Sequence, residues 1–339
     1  MTAQQLVSAT SFEKLIWTWK GHKIQYTVQG TGRPVILIHG FGASIGHWRQ
    51  NIPVLAAGGY RVFALDLLGF GASAKPALDY TLELWEELLT DFSADLVQEP
   101  AVFVGNSIGA LLSLMVVANH PEISAGGVLI NCAGGLNHRP DELNFPLRVV
   151  MGSFTKLVRS PLIGPFVFNN IRQKHRIRNT LRQVYSNHEA ITDELVELLH
   201  APSCEPGAQK VFASILTAPA GPQPSELLPK VDRPLLVLWG ADDPWTPIAG
   251  SQIYQQLAAN GKPVKFVSIP NTGHCPHDER PSEVNADFGL AGGSEVKFFG
   301  SRQPLGDRVK PLQCKSFASL HRTGTPAAAD SKNYFCKKY

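Results

Sequence analysis

Apolar and polar positions change their spacing along this chain in a regular order. Lys14–Trp19 and Lys23–Val28 alternate apolar and polar residues around Gly21, which predicts an N-terminal antiparallel hairpin. Pro34–Ile38 and Tyr60–Leu65 are continuous apolar or aromatic runs, as are Ala101–Val104 and Gly127–Ile130. Runs of this kind, bounded by turn residues, predict central strands covered on both faces. Between them, Trp48, Ile52, Val54 and Leu55 give a loose helical pattern. Leu82, Leu84, Leu88, Leu89, Phe92 and Leu96 give an amphipathic helix over Thr81–Leu96. Ile108–Val117 is helical in composition but too apolar for a surface helix. Strands alternating with helices from Pro34 to Ile130 point to a mostly parallel sheet with helices on both faces.

That rhythm stops near Gly134. From there to Lys230 the pattern contains no convincing strand, only helical segments broken by proline and glycine. Thr192 is an expected N-cap, with Asp193 and Glu194 in the first turn and Leu195, Val196, Leu198 and Leu199 behind. The strand signal returns at Pro234–Trp239 and Val264–Ile269. The expected organisation is therefore a first core part over 1–133, a helical lid over 134–230 across the edge where open α/β sheets bind ligands, and a second core part over 231–285. Residues 286–339 form a divergent tail.

Composition adds three limits. The 339 residues are 44% hydrophobic and 17% charged, as in ordinary globular proteins, and no run of eighteen or more apolar residues is present. The net charge of +3 divides into +5 on residues 286–339 and −2 on the rest, so nothing in the body suggests nucleic-acid binding. Five cysteines without CxxC spacing suggest reduced thiols and no zinc site. The first fifteen residues lack an apolar signal core and are too short and arginine-poor for a full transit peptide.

Candidate chemistry gathers at the predicted strand ends. Gly105-Asn106-Ser107-Ile108-Gly109 follows the strand at Ala101 and opens the apolar helix. In such a turn the positions two before and two after the serine come too close for most side chains, and the hydroxyl is raised above the sheet at a helix N-terminus. By itself the pattern also suits a plain glycine turn before a core helix. A serine hydroxyl needs a neutral imidazole to take its proton, and the imidazole needs a carboxylate to orient it. Both follow in chain order: Gly240-Ala241-Asp242-Asp243 after one returning strand, and Gly273-His274 after the other. Asp243, three residues after the strand-ending glycine, is preferred over Asp242, an ordinary turn residue. His274 is preferred over His277, which falls near the start of the next helix and could cap it. His39-Gly40-Phe41-Gly42-Ala43-Ser44 is a glycine loop that exposes backbone N–H groups, and Asp66–Ser73 reads as a structural turn.

HGFGAS, DLLGFGAS, GNSIGA, GADDPW and GHCPHDE together resemble the α/β-hydrolase superfamily over residues 14–285. GNSIG, DPW and HCPHDE resemble, more narrowly, its plastid and cyanobacterial branch of pheophytinase and chlorophyll dephytylase. The resemblance implies Ser107 as nucleophile, His274 as general base, Asp243 as its orienting acid, and the N–H groups of Phe41 and Ile108 as oxyanion hole, with Gly40 and Gly42 flanking Phe41. Serine at the elbow separates the chain from dehalogenases and epoxide hydrolases of this fold, which carry aspartate there. No cofactor or metal is implied. The expected activity is hydrolysis of a small apolar carboxylic ester, phytyl or other long-chain, through an acyl-enzyme. Carbon–carbon bond hydrolysis by the same triad and a noncatalytic receptor pocket are the alternatives. The branch implies a chloroplast location, with the cytoplasm as alternative; peripheral membrane contact stays open and oligomeric state is not read.

Two expectations concern surfaces. Phe145, Leu147, Val149, Val150, Met151, Phe154, Leu157, Leu162, Phe166 and Phe168 either pack lid helices on the body or line an apolar pocket. After Asn285 the relatives' apolar-periodic closing helix is replaced by a stretch interrupted at Gly289, Gly292 and Gly293. The tail is therefore expected to be disordered, as from an altered 3′ end or a lineage-specific replacement, and the groove beside the early helices to be left open.

Overall fold

A computed structural model describes residues 13–137 and 145–290. β1 (Leu15–Trp19) and β2 (His22–Gln29) form the antiparallel hairpin, paired from Leu15 with Tyr26 to Trp19 with His22. β3 (Arg33–Ile38), α1 (Ile52–Ala57), β4 (Tyr60–Leu65), α2 (Leu82–Phe92), β5 (Ala101–Asn106), α3 (Ile108–Asn119) and β6 (Ser124–Ile130) then alternate. Six helices follow: α4 (Phe145–Arg159), α5 (Gly164–Ile171), α6 (Lys174–Val184), α7 (Asp193–Ser203), α8 (Ala208–Thr217) and α9 (Pro224–Leu227). The chain returns to the sheet with β7 (Leu235–Gly240), α10 (Gln252–Ala259) and β8 (Val264–Ile269), and continues into the short α11 (Pro276–Glu279) and α12 (Pro281–Asn285).

The eight strands form one sheet in the order β1-β2-β4-β3-β5-β6-β7-β8. β2 is antiparallel to both β1 and β4, and every other pairing is parallel. The sheet divides the core. Ile36, Ile38 and Phe103 join one buried cluster, while Val35, Leu37, Val102 and Val104 join the other, as period-two alternation requires. All six residues of β5 are buried, and so are eleven of the twelve in α3, which explains why that helix shows no polar face. At the far edge β8 is only half covered and carries Lys265 and Ser268, as suits a strand paired on one side.

Local chemistry sets the boundaries. The Thr81 hydroxyl accepts from Leu84 N at 3.2 Å and starts α2, with Glu83 in the first turn. The helix expected to reach Leu96 gives way after Phe92 to a π-turn over Ser93–Val97, closed by Gln98 in the left-handed region. Thr192 caps α7 by accepting from Leu195 N at 3.1 Å. Among the described residues between β6 and β7 there is no strand.

The expected tail begins too early. Ala286–Leu290 continues α12 as a π-turn, and Phe288 is buried with Val284 in the cluster that holds Leu37 and Trp48, so these residues belong to the body. The expectation of a disordered tail from Gly289 concerns residues 291–339, which lie outside the described residues, as do residues 1–12 at the other end. Among the described residues no helix is long and apolar enough to cross a membrane.

Candidate active site

Ser107 stands at the junction of β5 and α3 with φ 59° and ψ −119°, a conformation that costs an L-residue on the order of 1–3 kcal/mol. The surroundings leave it no alternative. A Cβ on Gly105 would lie 2.0 Å from Gly109 O, and one on Gly109 would lie 2.3 Å from Ile38 O. Ser107 N donates to Ile130 O at 3.0 Å, and Ser107 O accepts from Ala110 N at 3.1 Å, so the turn is tied to β6 and to the first turn of α3. The half-buried side chain opens on a cavity.

His274 and Asp243 reach the same edge from the ends of β8 and β7. His274 Nδ1 donates to Asp243 Oδ2 at 2.7 Å, which leaves Nε2 as the basic nitrogen. Asp243 Oδ1 accepts from Trp245 N at 2.8 Å and Thr246 N at 3.1 Å, while Oδ2 also accepts from Asn131 Nδ2 at 2.6 Å and from the Thr246 hydroxyl. Burial alone would push this carboxyl up, but the hydrogen bonds and charge of His274, with those of Thr246, outweigh it and hold Asp243 below the usual range. The backbone of His274 is fixed on both sides: its N–H donates to Val184 O at 2.8 Å, and its carbonyl accepts from Asn106 Nδ2 at 2.9 Å. Glu279 Oε2 accepts from Gly273 N at 2.9 Å and closes the loop from behind.

The competitors go elsewhere. Asp242 donates its N–H to Thr272 O at 2.9 Å, and its carboxylate accepts from the Ser186 hydroxyl at 3.5 Å. His277 does not cap α11, whose N-cap is Cys275. It is fully buried, with ring centroids 4.2 Å from Trp48 and 4.6 Å from His47, and neither ring nitrogen has a hydrogen-bond partner among the described residues. Burial holds it neutral, well below the usual histidine range.

The glycine loop after β3 lies against the elbow. A Cβ on Gly40 would sit 3.4 Å from Ser107 Cβ. His39 braces the loop from beneath: Nδ1 donates to Gly40 O at 2.8 Å and Nε2 accepts from Leu67 N at 3.0 Å, a pattern that requires the neutral ring, and burial pushes its pKa down to about 4. Gly42 turns the chain with φ +70°, and Ala43 N donates to Gly40 O at 3.3 Å. Asp66, at the end of β4, accepts from Ile45 N at 2.7 Å, Ala72 N at 2.8 Å and Gln25 Nε2 at 3.1 Å, the structural role read for its turn; burial raises it to about 6. Phe41 lines the cavity with its ring edge-on to Phe70 at 5.8 Å, and Ile108 follows Ser107 as the first residue of α3.

Ser107, His274, Phe41 and Gly40 thus share one cavity of about 260 Å³. Its far wall comes from the helices between β6 and β7: Phe168, Ile171, Ile177, Leu181, Leu199 and Phe212. This differs from the expected wall. Of the ten apolar residues read over Phe145–Phe168, seven have described side chains, and of those seven only Phe168 faces the cavity. Val149, Val150, Leu157, Leu162 and Phe166 are exposed, Phe154 is half-buried, and the side chains of Phe145, Leu147 and Met151 lie outside the described set. Val149, Val150, Leu157, Leu162 and Phe166 therefore neither pack on the body nor line the pocket.

A sequence model of the alpha/beta hydrolase family matches residues 35–287, a span that holds every element of this site. The chain belongs to the alpha/beta hydrolase family. Pheophytinase from Arabidopsis thaliana, a chloroplastic protein, is 27% identical over 291 residues, covering 74% of this chain. This chain spans only 59% of that protein's length. The 2-hydroxy-6-oxo-6-(2'-aminophenyl)hexa-2,4-dienoic acid hydrolase of Metapseudomonas resinovorans is 31% identical over 268 residues, covering 78% of this chain and 85% of its own. Among solved structures, the serine hydrolase of carbazole degradation, the CarC enzyme, superposes with a TM-score of 0.66 at 25% identity, over 83% of this chain and 98% of its own.

Three residues of this hydrolase's site were not foreseen in the pattern. Asn131, at φ 45°, donates to Asp243 and accepts from Gly240 N at 3.0 Å, joining the ends of β6 and β7. Its signal was an asparagine directly after a strand, the residue type that best tolerates the left-handed region. Thr246 could have been read from its place three residues after Asp243, the reach of a side-chain turn. Asn106 sits inside the elbow motif, where the glycines and the serine draw attention away from it.

Proposed function

We propose that this hydrolase cleaves carboxylic esters of apolar substrates through an acyl-enzyme on Ser107. The observation that carries the reading is the 2.7 Å bond between His274 Nδ1 and buried Asp243, on the same apolar cavity as a serine held at φ 59°. In this mechanism His274 Nε2 takes the Ser107 proton as Oγ attacks the ester carbonyl. The N–H groups of Phe41 and Ile108 stabilise the oxyanion, and His274 returns its proton to the leaving alcohol. Water activated by the same nitrogen then releases the acid. The helices over 145–217 act as the lid that excludes bulk water and selects the chain to be cleaved. The substrate class is a long-chain or isoprenoid ester. The apolar wall and the similarity to a pheophytinase support it, and that relative's chloroplastic location supports a plastid setting for this chain.

A second reading has its own support. The relative at 31% identity is named for a dienoic acid, and Arg172 lines the cavity with no carboxylate partner among the described residues, which would suit an acidic substrate cleaved at a carbon–carbon bond. Fluorophosphonate labelling with the Ser107→Ala protein as blank tests the nucleophile, and absence of label on Ser107 refutes both readings in favour of a noncatalytic pocket. Turnover of esters of graded chain length against a vinylogous diketone acid then separates them: faster hydrolysis of the long esters is expected, and turnover of the diketone alone would overturn the ester assignment.

A further inference from the structure

The outward apolar surface of α4 and α5 has no role in the site. Leu162 is 88% exposed, Phe166 75% and Val150 61%, with Val149, Leu157 and Ile163 exposed beside them in the chain. Single exposed apolar residues need no explanation, but six within eighteen positions mark an interaction surface. The charge along this stretch of sequence is one-sided, although Lys174 and Arg178 pair with Glu197 and Asp193. From Asn144 to His188 there are eight lysines and arginines and no aspartate or glutamate. Lys156 and Arg159, exposed on either side of Leu157, meet no carboxylate among the described residues.

We infer that the α4–α5 junction docks on an anionic lipid bilayer, with Leu162, Phe166 and Val150 entering the acyl boundary and Lys156 and Arg159 meeting lipid phosphates. Apolar side chains flanked by cations that meet no carboxylate among the described residues match the boundary between acyl chains and acidic head groups on both counts. The other occupants fit less well. Residues 291–339 carry nine lysines and arginines against three acidic residues, and a second copy would present the same basic surface, so both bring like charge. The consequence for catalysis rests on the hydrolytic reading: Phe168 and Ile171, on the same short helix as Phe166, form the cavity wall, so docking sets that wall at the membrane face where an apolar ester resides.

Flotation of the full chain with vesicles of phosphatidylcholine alone, or with one-third phosphatidylglycerol, tests the docking. Binding is expected with the anionic vesicles, weakening at high salt, and a drop of about fivefold or more in bound fraction is expected for Leu162→Ser/Phe166→Ser and for Lys156→Glu/Arg159→Glu. These variants should keep wild-type turnover of a short water-soluble ester, which certifies their fold. Ser107→Ala should bind like wild type, so failure of the chemistry and failure of the docking are read separately. Absence of wild-type flotation with anionic vesicles overturns the proposal. Equal flotation of all variants also overturns it, since binding would then belong to another part of the chain, such as its basic C-terminal residues.

Discussion

The sheet edge that carries Ser107, Asp243 and His274 and the helices that roof it are built by different rules. At the edge, backbone and hydrogen bonds dictate every position. Asp243 has five donors around its two oxygens, and a methyl group added at Gly105 or Gly109 has nowhere to go. In the helices, the side chains that face the cavity are placed by packing: the ring of Phe212 is held between Phe168 and Phe41 at ring distances of 5.2 and 6.1 Å. The difference teaches where tolerance lies. Reaction geometry needs groups fixed to fractions of an ångström, whereas choosing among apolar chains needs only volume and surface. Substitutions at the edge should therefore lower turnover of every ester alike, and substitutions in the roof should change the ranking of esters.

The largest effect is expected for Asp243→Asn. An amide in place of the carboxylate favours the wrong imidazole tautomer and cannot stabilise the imidazolium, at a cost of about 10⁴-fold in kcat. KM should hardly move, and short and long esters should lose equally; a loss confined to one chain length would break the contrast between edge and roof. Asn131→Ala comes next. It removes one donor from Asp243 and leaves Gly240 N without its acceptor, so a decrease of about ten- to a hundredfold in kcat/KM is expected, from roughly 1–3 kcal/mol for an unsatisfied buried group. Activity within twofold of wild type would show that the remaining donors suffice.

How much of this was legible differs between the two regions for a physical reason. The continuous apolar runs at Pro34–Ile38 and Ala101–Val104 and the glycines around Ser107 are direct imprints of burial and steric exclusion, so the parallel sheet, the elbow, and the strand ends bearing Asp243 and His274 could be read from the chain. Asn131 and Thr246 act through a few hydrogen bonds around Asp243 and Gly240, and one polar residue carries no period. In the roof, the pattern marks Leu157 and Phe166 as apolar positions of helices without saying which way each helix turns; tertiary packing decides that. His277 shows the same limit, since a histidine near a helix start reads equally well as a cap and as a buried ring.

The buried histidines of the edge give a pH test of intermediate size. His39 is held neutral with a pKa near 4 against 6.5 in the unfolded chain, so below pH 6.5 the unfolded state binds more protons and stability falls as the pH drops toward 4. At pH 5 the loss from His39 alone is about 2 kcal/mol relative to pH 7. His277 and His47, both lowered by burial, act in the same direction. Asp66 opposes them. Its pKa is raised from 3.8 to about 6, so its contribution is full below the lower value and is lost as pH rises through the upper one. Glu279 and Asp287, also raised by burial, side with Asp66, whereas Asp243, held low by His274 and Thr246, sides with the histidines. With three buried rings on that side, a lower urea midpoint is predicted at pH 5 than at pH 7. A midpoint that holds or rises would mean that the buried rings accept protons without opening the core.

The smallest effect belongs to the roof. Phe212 contributes one face of the cavity and makes no contact with the hydrogen-bonded groups of Asp243 or His274, so Phe212→Ala leaves the reacting groups in place. A short ester that ends before this wall should be hydrolysed at the wild-type rate. A long chain that lies against the ring loses contact worth about 0.8 kcal/mol per methylene no longer buried, and two such groups amount to roughly a tenfold fall in kcat/KM. The quantity to measure is the ratio of kcat/KM for the two esters in wild type and variant, because the ratio cancels any shared loss from a slightly loosened helix. A ratio that drops by about tenfold assigns chain selection to the helices. If it stays constant while both rates fall together, Phe212 supports the edge itself, and roof and edge are one mechanical unit.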